Sequence, residues 1–96
     1  MGPLTEELVG DLKELAVILE EDGDSHWSKW MRKSISLIEA GDYTGIEHFL
    51  TAFGGMGSFS DYCIRTTRRS NENFSTLQSA SYDLAWKIKR EYEQNT

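Results

Sequence analysis

The chain has 96 residues, 39% of them hydrophobic and 27% charged, with a formal net charge of −6, which is enough for one domain, 1–96, and one core. It contains no apolar run of about 18 residues and no basic N-terminal segment leading into an apolar stretch, which argues against a membrane span or a secretory signal and favours the cytoplasm. Cys63 is the single cysteine, which excludes an internal disulfide, suits a reducing compartment and reads as a small buried apolar residue.

The charge is unevenly placed. Residues 1–24 hold eight acids against Lys13 alone, residues 25–60 balance, and residues 61–96 carry six bases against five acids. An acidic surface repels nucleic acid and anionic lipid and favours a cationic protein partner.

In chain order, Pro3-Leu4-Thr5-Glu6-Glu7 predicts a helix start with Thr5 as cap and the glutamates in the first turn, where the helix dipole favours them. Leu8, Leu12, Leu15 and Leu19, spaced by four, three and four residues, form an apolar ridge widened by Val9 and Ala16, and Gly23 is the stop. Asp24 caps a second helix to about Ala40, with Trp27, Met31, Ile35 and Ile38 on one stripe and Trp30 and Leu37 beside it. Gly41 ends it and Asp42 caps a short third helix with Ile46, Phe49, Leu50 and Phe53 as its apolar positions. Gly45 in its first turn costs about 1 kcal/mol relative to alanine and predicts an irregular turn.

Three glycines then fall within four residues, in Gly54-Gly55-Met56-Gly57-Ser58-Phe59. This predicts a tight turn between helices, with at least one of Gly54, Gly55 and Gly57 at positive φ and Ser58 opening the next helix. That fourth helix runs to about Arg68 and buries Phe59, Tyr62 and Cys63 or Ile64. Ser70-Asn71-Glu72-Asn73 reads as a loop. A last helix from about Asn73 to Glu93 buries Phe74, Leu77, Ala80, Leu84, Ala85, Ile88 and Tyr92. The expected fold is an all-α bundle of about five helices.

Few residues suggest chemistry. Free N–H groups at the Gly54–Ser58 turn offer an anion site as an alternative to a purely structural turn. The turn departs from a P-loop, because Ser58 and Phe59 follow Gly57 and a helix precedes it. His26 and His48 lack a carboxylate, cysteine or second histidine at metal-ligand spacing, and no nucleophile signature surrounds Cys63 or any serine. The sequence therefore predicts no enzyme, no metal and no cofactor. Trp27, Trp30 and Trp86 read as core, each an interface anchor if exposed. Arg65, Arg68 and Arg69 read as cations at a helix C-terminus, with phosphate contact as the alternative.

The carboxylates of the first helix stand out. Glu7, Asp11, Glu14 and Glu21 repeat the leucine spacing displaced by one residue, with Ile18 interrupting, and form an acidic strip beside the apolar ridge. Like charges at i,i+4 cost a few tenths of a kcal/mol, and Glu20, Glu21 and Asp22 oppose the dipole by about 0.3 to 1 kcal/mol each. A solvated face and a site for a cationic partner, made by Glu7, Asp11, Glu14, Glu21, Asp22 and Asp24, both accommodate this pattern.

The stretch Ala52-Phe53-Gly54-Gly55-Met56-Gly57-Ser58-Phe59-Ser60-Asp61 resembles the signature of a group of small uncharacterised bacterial proteins, in which a Gly-Gly-Met-Gly-Ser-Phe-Asn-Asp run follows a helical half. Asp24-Ser25-His26-Trp27-Ser28-Lys29-Trp30 and Ile38-Glu39-Ala40-Gly41-Asp42 are similar to it too, and the resemblance covers about residues 8–62. Ser60 stands where that group has asparagine. The resemblance implies no activity.

In size, charge and class the chain also resembles the immunity proteins of contact-dependent growth inhibition, which neutralise a toxin domain by covering its active site. That likeness implies an immunity protein whose acidic helix meets a basic cleft, with a nuclease, a ribonuclease above all, as the natural toxin. It implies no direct contact with nucleic acid or membrane. A helical regulatory or structural module, as a homo-oligomer or with an unrelated partner, is the other expectation.

Overall fold

The computed structural model describes residues 2–53 and 68–94, with side chains in the last helix described from Asn73 onward. These residues form four helices: α1 (Pro3–Glu21), α2 (Ser25–Glu39), α3 (Thr44–Thr51) and α4 (Arg68–Gln94). Each packs on two others in a ring, α1 and α3 both lying against α2 and α4. The all-α bundle is as expected, with four helices rather than five among the described residues. The predicted fourth helix and the Gly54–Ser58 turn lie outside the described residues.

Two Gly-Asp pairs set the first half of the ring. At Gly23 the chain turns with φ +83° and at Gly41 with φ +79°, a left-handed conformation that glycine reaches without steric cost. Asp24 N–H donates to Leu19 O at 3.0 Å and Gly23 N–H to Glu20 O at 3.2 Å; Asp42 N–H and Gly41 N–H repeat the pattern on Leu37 O and Ile38 O at 2.9 and 3.0 Å. Both are Schellman stops, which satisfy carbonyls a helix end leaves orphaned. The aspartates then start the next helix. Asp24 Oδ1 accepts from Trp27 N–H at 2.8 Å. Asp42 Oδ1 accepts from Thr44 N–H at 3.0 Å and Thr44 Oγ1 at 2.7 Å.

Leu8, Leu12, Leu15 and Leu19 are fully buried and meet Met31, Ile35 and Ile38 of α2, Ile46 and Phe49 of α3, and Phe74, Leu77, Leu84 and Ala85 of α4. Gly45 brings α2 and α3 together: a Cβ there would lie 2.8 Å from Ile38 Cγ1 and 2.9 Å from Ile38 N. Its turn is tightened, with Gly45 N–H bonded to Asp42 O at 3.1 Å and Ile46 N–H to Tyr43 O at 2.9 Å, both i→i−3.

Several expectations need correction. Gly2, not Thr5, occupies the N-cap of α1, because Pro3 already has helical geometry at the position where its missing N–H costs nothing. Tyr43 is the N-cap residue of α3, with Asp42 one residue before it. Residues 70–73, expected as a loop, are helical, and Arg68 and Arg69 lie in the first described turn of α4. On α4, Ala80 and Tyr92 are exposed, while Gln78 and Ser81 are buried. Ser81 enters the core because its hydroxyl carries its own acceptors, Leu77 O at 2.7 Å and Gln78 O at 3.0 Å. Trp27 and Trp30 are half-buried and pack on the core edge. Trp86 is 38% exposed, with Lys89 Nζ 5.6 Å from its ring centre.

Candidate functional site

The two faces of α1 have opposite chemistry. Behind the buried leucines, Glu7, Gly10, Glu14, Val17 and Glu21 are all exposed and follow one another at alternating spacings of three and four, which places them along one outward stripe. Asp11 and Ile18 flank it, half-buried. Partial burial, then the charges of Glu7 and Glu14, push the Asp11 carboxyl above its ordinary range. Val17, 45% exposed, borders a shallow apolar notch of about 340 Å³ that Lys13, Glu14, Ile18 and Asn73 complete.

Neighbouring acids are engaged. Glu20 accepts from Arg32 at 2.9 Å, and Glu39 pairs with Lys13 at 3.4 Å, fastening α2 to α1. The Arg32 guanidinium holds the Glu20 carboxyl below its ordinary range. Glu7, Glu14 and Glu21 have no ion pair among the described residues. The six acids predicted to bind a partner therefore divide: three on the stripe, Asp11 beside it, Asp22 at the C-cap of α1, and Asp24 with its carboxylate committed to capping α2.

Gly54, Gly55, Gly57 and Ser58, the alternative anion site, lie outside the described residues, as do Cys63 and Arg65. Among the described residues no group of three or more His, Cys, Asp or Glu side chains is placed to hold a metal ion, and no helix is long and apolar enough to cross a membrane.

Sequence reasoning missed the surroundings of His48. Its ring stacks on Trp30, centroids 4.3 Å apart and planes at 21°, and its Nδ1 lies 2.8 Å from Ser34 Oγ. Trp30 Nε1–H donates to His48 O at 3.0 Å, and Ser34 Oγ lies 3.1 Å from Trp30 O. The single hydroxyl proton of Ser34 serves either Trp30 O or His48 Nδ1; with it on the carbonyl, the imidazole donates from Nδ1. Burial, then Lys33, lowers the His48 pKa from its ordinary value. Ser34 is fully buried, so the pair lacks the accessible hydroxyl that acyl transfer requires and locks α3 onto α2. The packing of α3 on α2 brings His48 to Trp30 and Ser34, eighteen and fourteen residues earlier, and no local signal marks it.

An aromatic patch on α4 also reaches the surface. Tyr82 lies 4.8 Å from Phe53 and 6.3 Å from Trp86, ring centre to ring centre. At the opposite end of the bundle Tyr43 stacks on Tyr92, centroids 3.8 Å apart and planes at 9°. The Tyr43 hydroxyl is buried with no hydrogen-bond partner among the described residues, and burial raises its pKa.

No curated protein and no solved structure matches the chain. Residues 20–70, just over half of it, match a family described as a domain of unknown function. That span takes in α2, α3 and residues 54–58 and begins at the end of α1, so most of the outward stripe precedes it. By this match the chain belongs to the DUF6966 family.

Proposed function

We propose that this protein is a non-enzymatic binding inhibitor, an immunity protein that neutralises a cationic toxin domain by laying the outward face of α1 over its active site. A nuclease, and a ribonuclease above all, is the favoured target, because a cleft built to attract phosphates also attracts carboxylates. The observation that carries this reading is the stripe itself: Glu7, Glu14 and Glu21 are exposed and unpaired among the described residues, while Glu20 and Glu39 beside them are held by Arg32 and Lys13. The reading needs no cofactor or metal and places the protein in the cytoplasm, where an incoming toxin would act.

The test is a titration against the C-terminal domain of the protein encoded beside this one, using wild type and the variant carrying Glu7→Gln, Asp11→Asn, Glu14→Gln and Glu21→Gln. Each desolvated pair lost should cost about 2 to 5 kcal/mol of binding, and rim charges should mainly slow association. Wild-type affinity in the variant at both low and high salt overturns the electrostatic mechanism.

A second reading, a helical regulatory or structural module, is favoured by the exposed Tyr82 and Trp86 beside Phe53. Under it Trp86→Ala, and not the acid-to-amide variant, abolishes partner capture, and the neighbouring gene encodes no toxin.

A further inference from the structure

We infer that the pocket at the Tyr43–Tyr92 end of the bundle binds a small neutral molecule of one ring, and that the Tyr43 hydroxyl is its hydrogen-bond partner. The pocket is separate from the acidic face of α1 and stands whether or not that face meets a toxin. Its walls come from all four described helices: Thr5 from α1, Ile38 from α2, Ile46 from α3, Ile88 and Tyr92 from α4, with Tyr43 at the α2–α3 junction. They border a space of about 260 Å³, and the gaps between the helices of a bundle are a usual place for small-molecule sites.

Two observations fix the chemistry of the occupant. The first is the Tyr43 hydroxyl, the one buried side-chain nitrogen or oxygen among the described residues that lacks a hydrogen-bond partner. Buried polar groups are ordinarily satisfied, and one left orphaned costs stability. A phenolic O–H both donates and accepts, and burial raises its pKa, which keeps the proton in place. A hydroxyl or carbonyl on the ligand supplies the missing partner. The apolar walls disfavour a charged occupant of either sign. An anion in particular would meet Asp42 at the pocket and Glu47 near the hydroxyl, while Lys89 is paired with Glu93 at 3.4 Å.

The second observation is the make-up of the walls. Ile38 and Ile46 are buried and form the deep side, while the Tyr43 and Tyr92 rings lie face to face, centroids 3.8 Å apart and planes at 9°. A ligand ring therefore has an aromatic face and aliphatic side chains to meet. One ring fits, since an apolar protein cavity of about 150 Å³ accommodates benzene. Tyr92 is 48% exposed and belongs to the last described turn of α4. Its ring is the wall that turns aside, so that the ligand reaches the Tyr43 hydroxyl and takes its place in the stack.

The probes are phenol and toluene, which carry a hydroxyl and a methyl on the same ring. Titrated into the isotope-labelled full chain, phenol should bind saturably with a Kd of about 1 mM, and the amide shifts should gather at Gly41, Ile46 and Ile88. Tyr43→Phe should weaken phenol by about fivefold, the net worth of one hydrogen bond, and leave toluene unchanged. Its melting temperature should stay level or rise, because an orphaned hydroxyl is removed. Ile88→Trp fills the pocket from its half-buried side and should abolish binding of both probes. No saturable binding of phenol below about 20 mM, unchanged phenol affinity in Tyr43→Phe or Ile88→Trp, or an equal loss of both probes in Tyr43→Phe overturns the inference. A melting temperature clearly lowered by Tyr43→Phe overturns it too, since the hydroxyl would then have its partner within the fold.

Discussion

A methyl group added at Gly45 would lie 2.8 Å from Ile38 Cγ1, whereas one added at Gly10 would meet no atom within 4 Å. At Gly45 the conflict with local helix propensity is resolved inside the protein, because two backbones pass where a side chain would stand. At Gly10 no packing among the described residues resolves the same conflict. A departure from local preference that packing explains belongs to the fold, and one that packing leaves unexplained directs attention to what the surface meets. The same contrast separates the two sides of α1: leucines sealed from solvent on one, carboxylates, Gly10 and Val17 open to it on the other.

The sharpest break in that contrast is on the sealed side. Leu12→Ala should lower stability by about 2 to 5 kcal/mol, read from the denaturant midpoint at unchanged slope; a loss no larger than that of a surface change would mean α1 does not anchor the core. Next comes Gly45→Ala, where overpacking against the α2 backbone should cost about 1 to 3 kcal/mol, opposed by about 1 kcal/mol of better helix propensity. Calorimetry on this variant distinguishes the two glycines directly, because Gly10→Ala should move the other way, raising stability by about 1 kcal/mol. A destabilised Gly10→Ala would show that this glycine has an internal role after all.

The smallest effect concerns pH. Burial and Lys33 hold the His48 imidazole below its ordinary value of 6.5, so on acidification the unfolded chain takes up its proton first. The sign follows: the contribution to stability is intact above about pH 6.5 and is lost as pH falls through the folded value. Comparing denaturant midpoints of wild type and His48→Gln from pH 8 to pH 5 isolates it, and parallel curves would sink the assignment. Trp30 fluorescence follows the same titration, since a charged imidazolium stacked on an indole quenches it.

The legible parts of the molecule were those with local signals. Gly23-Asp24 and Gly41-Asp42 stop one helix and start the next with atoms no more than five residues apart, so sequence alone places both junctions. The buried side of α4 is harder. Periodicity from Phe74 and Leu77 leads to Ser81, but reading for apolar residues selects Ala80, one position off the register; the serine is buried because its proton returns to the backbone at Leu77. Trp86 reads as core by its size, yet its position between Tyr82 and Lys89 turns it outward. At the candidate site the acidic strip is visible in the sequence, while Gly10 and Val17 acquire meaning only once their side of α1 is known to be open. His48 depends on a serine fourteen residues earlier, a contact made by tertiary packing alone.

The Tyr43–Tyr92 stack joins two parts of the chain that differ in their capacity to fray. Residues 91–94 of α4 are exposed, and a terminal helical turn with little burial ordinarily opens with almost no free-energy cost. Tyr43 belongs to the junction between α2 and α3, held by the second Gly-Asp pair. With the two rings 3.8 Å apart, the last turn of α4 parts from the bundle only when this contact opens, so slow amide exchange should extend to the end of that helix and share one opening event with the α2–α3 junction. The last turn of α4 thereby becomes part of a cooperative unit whose other half lies about fifty residues earlier.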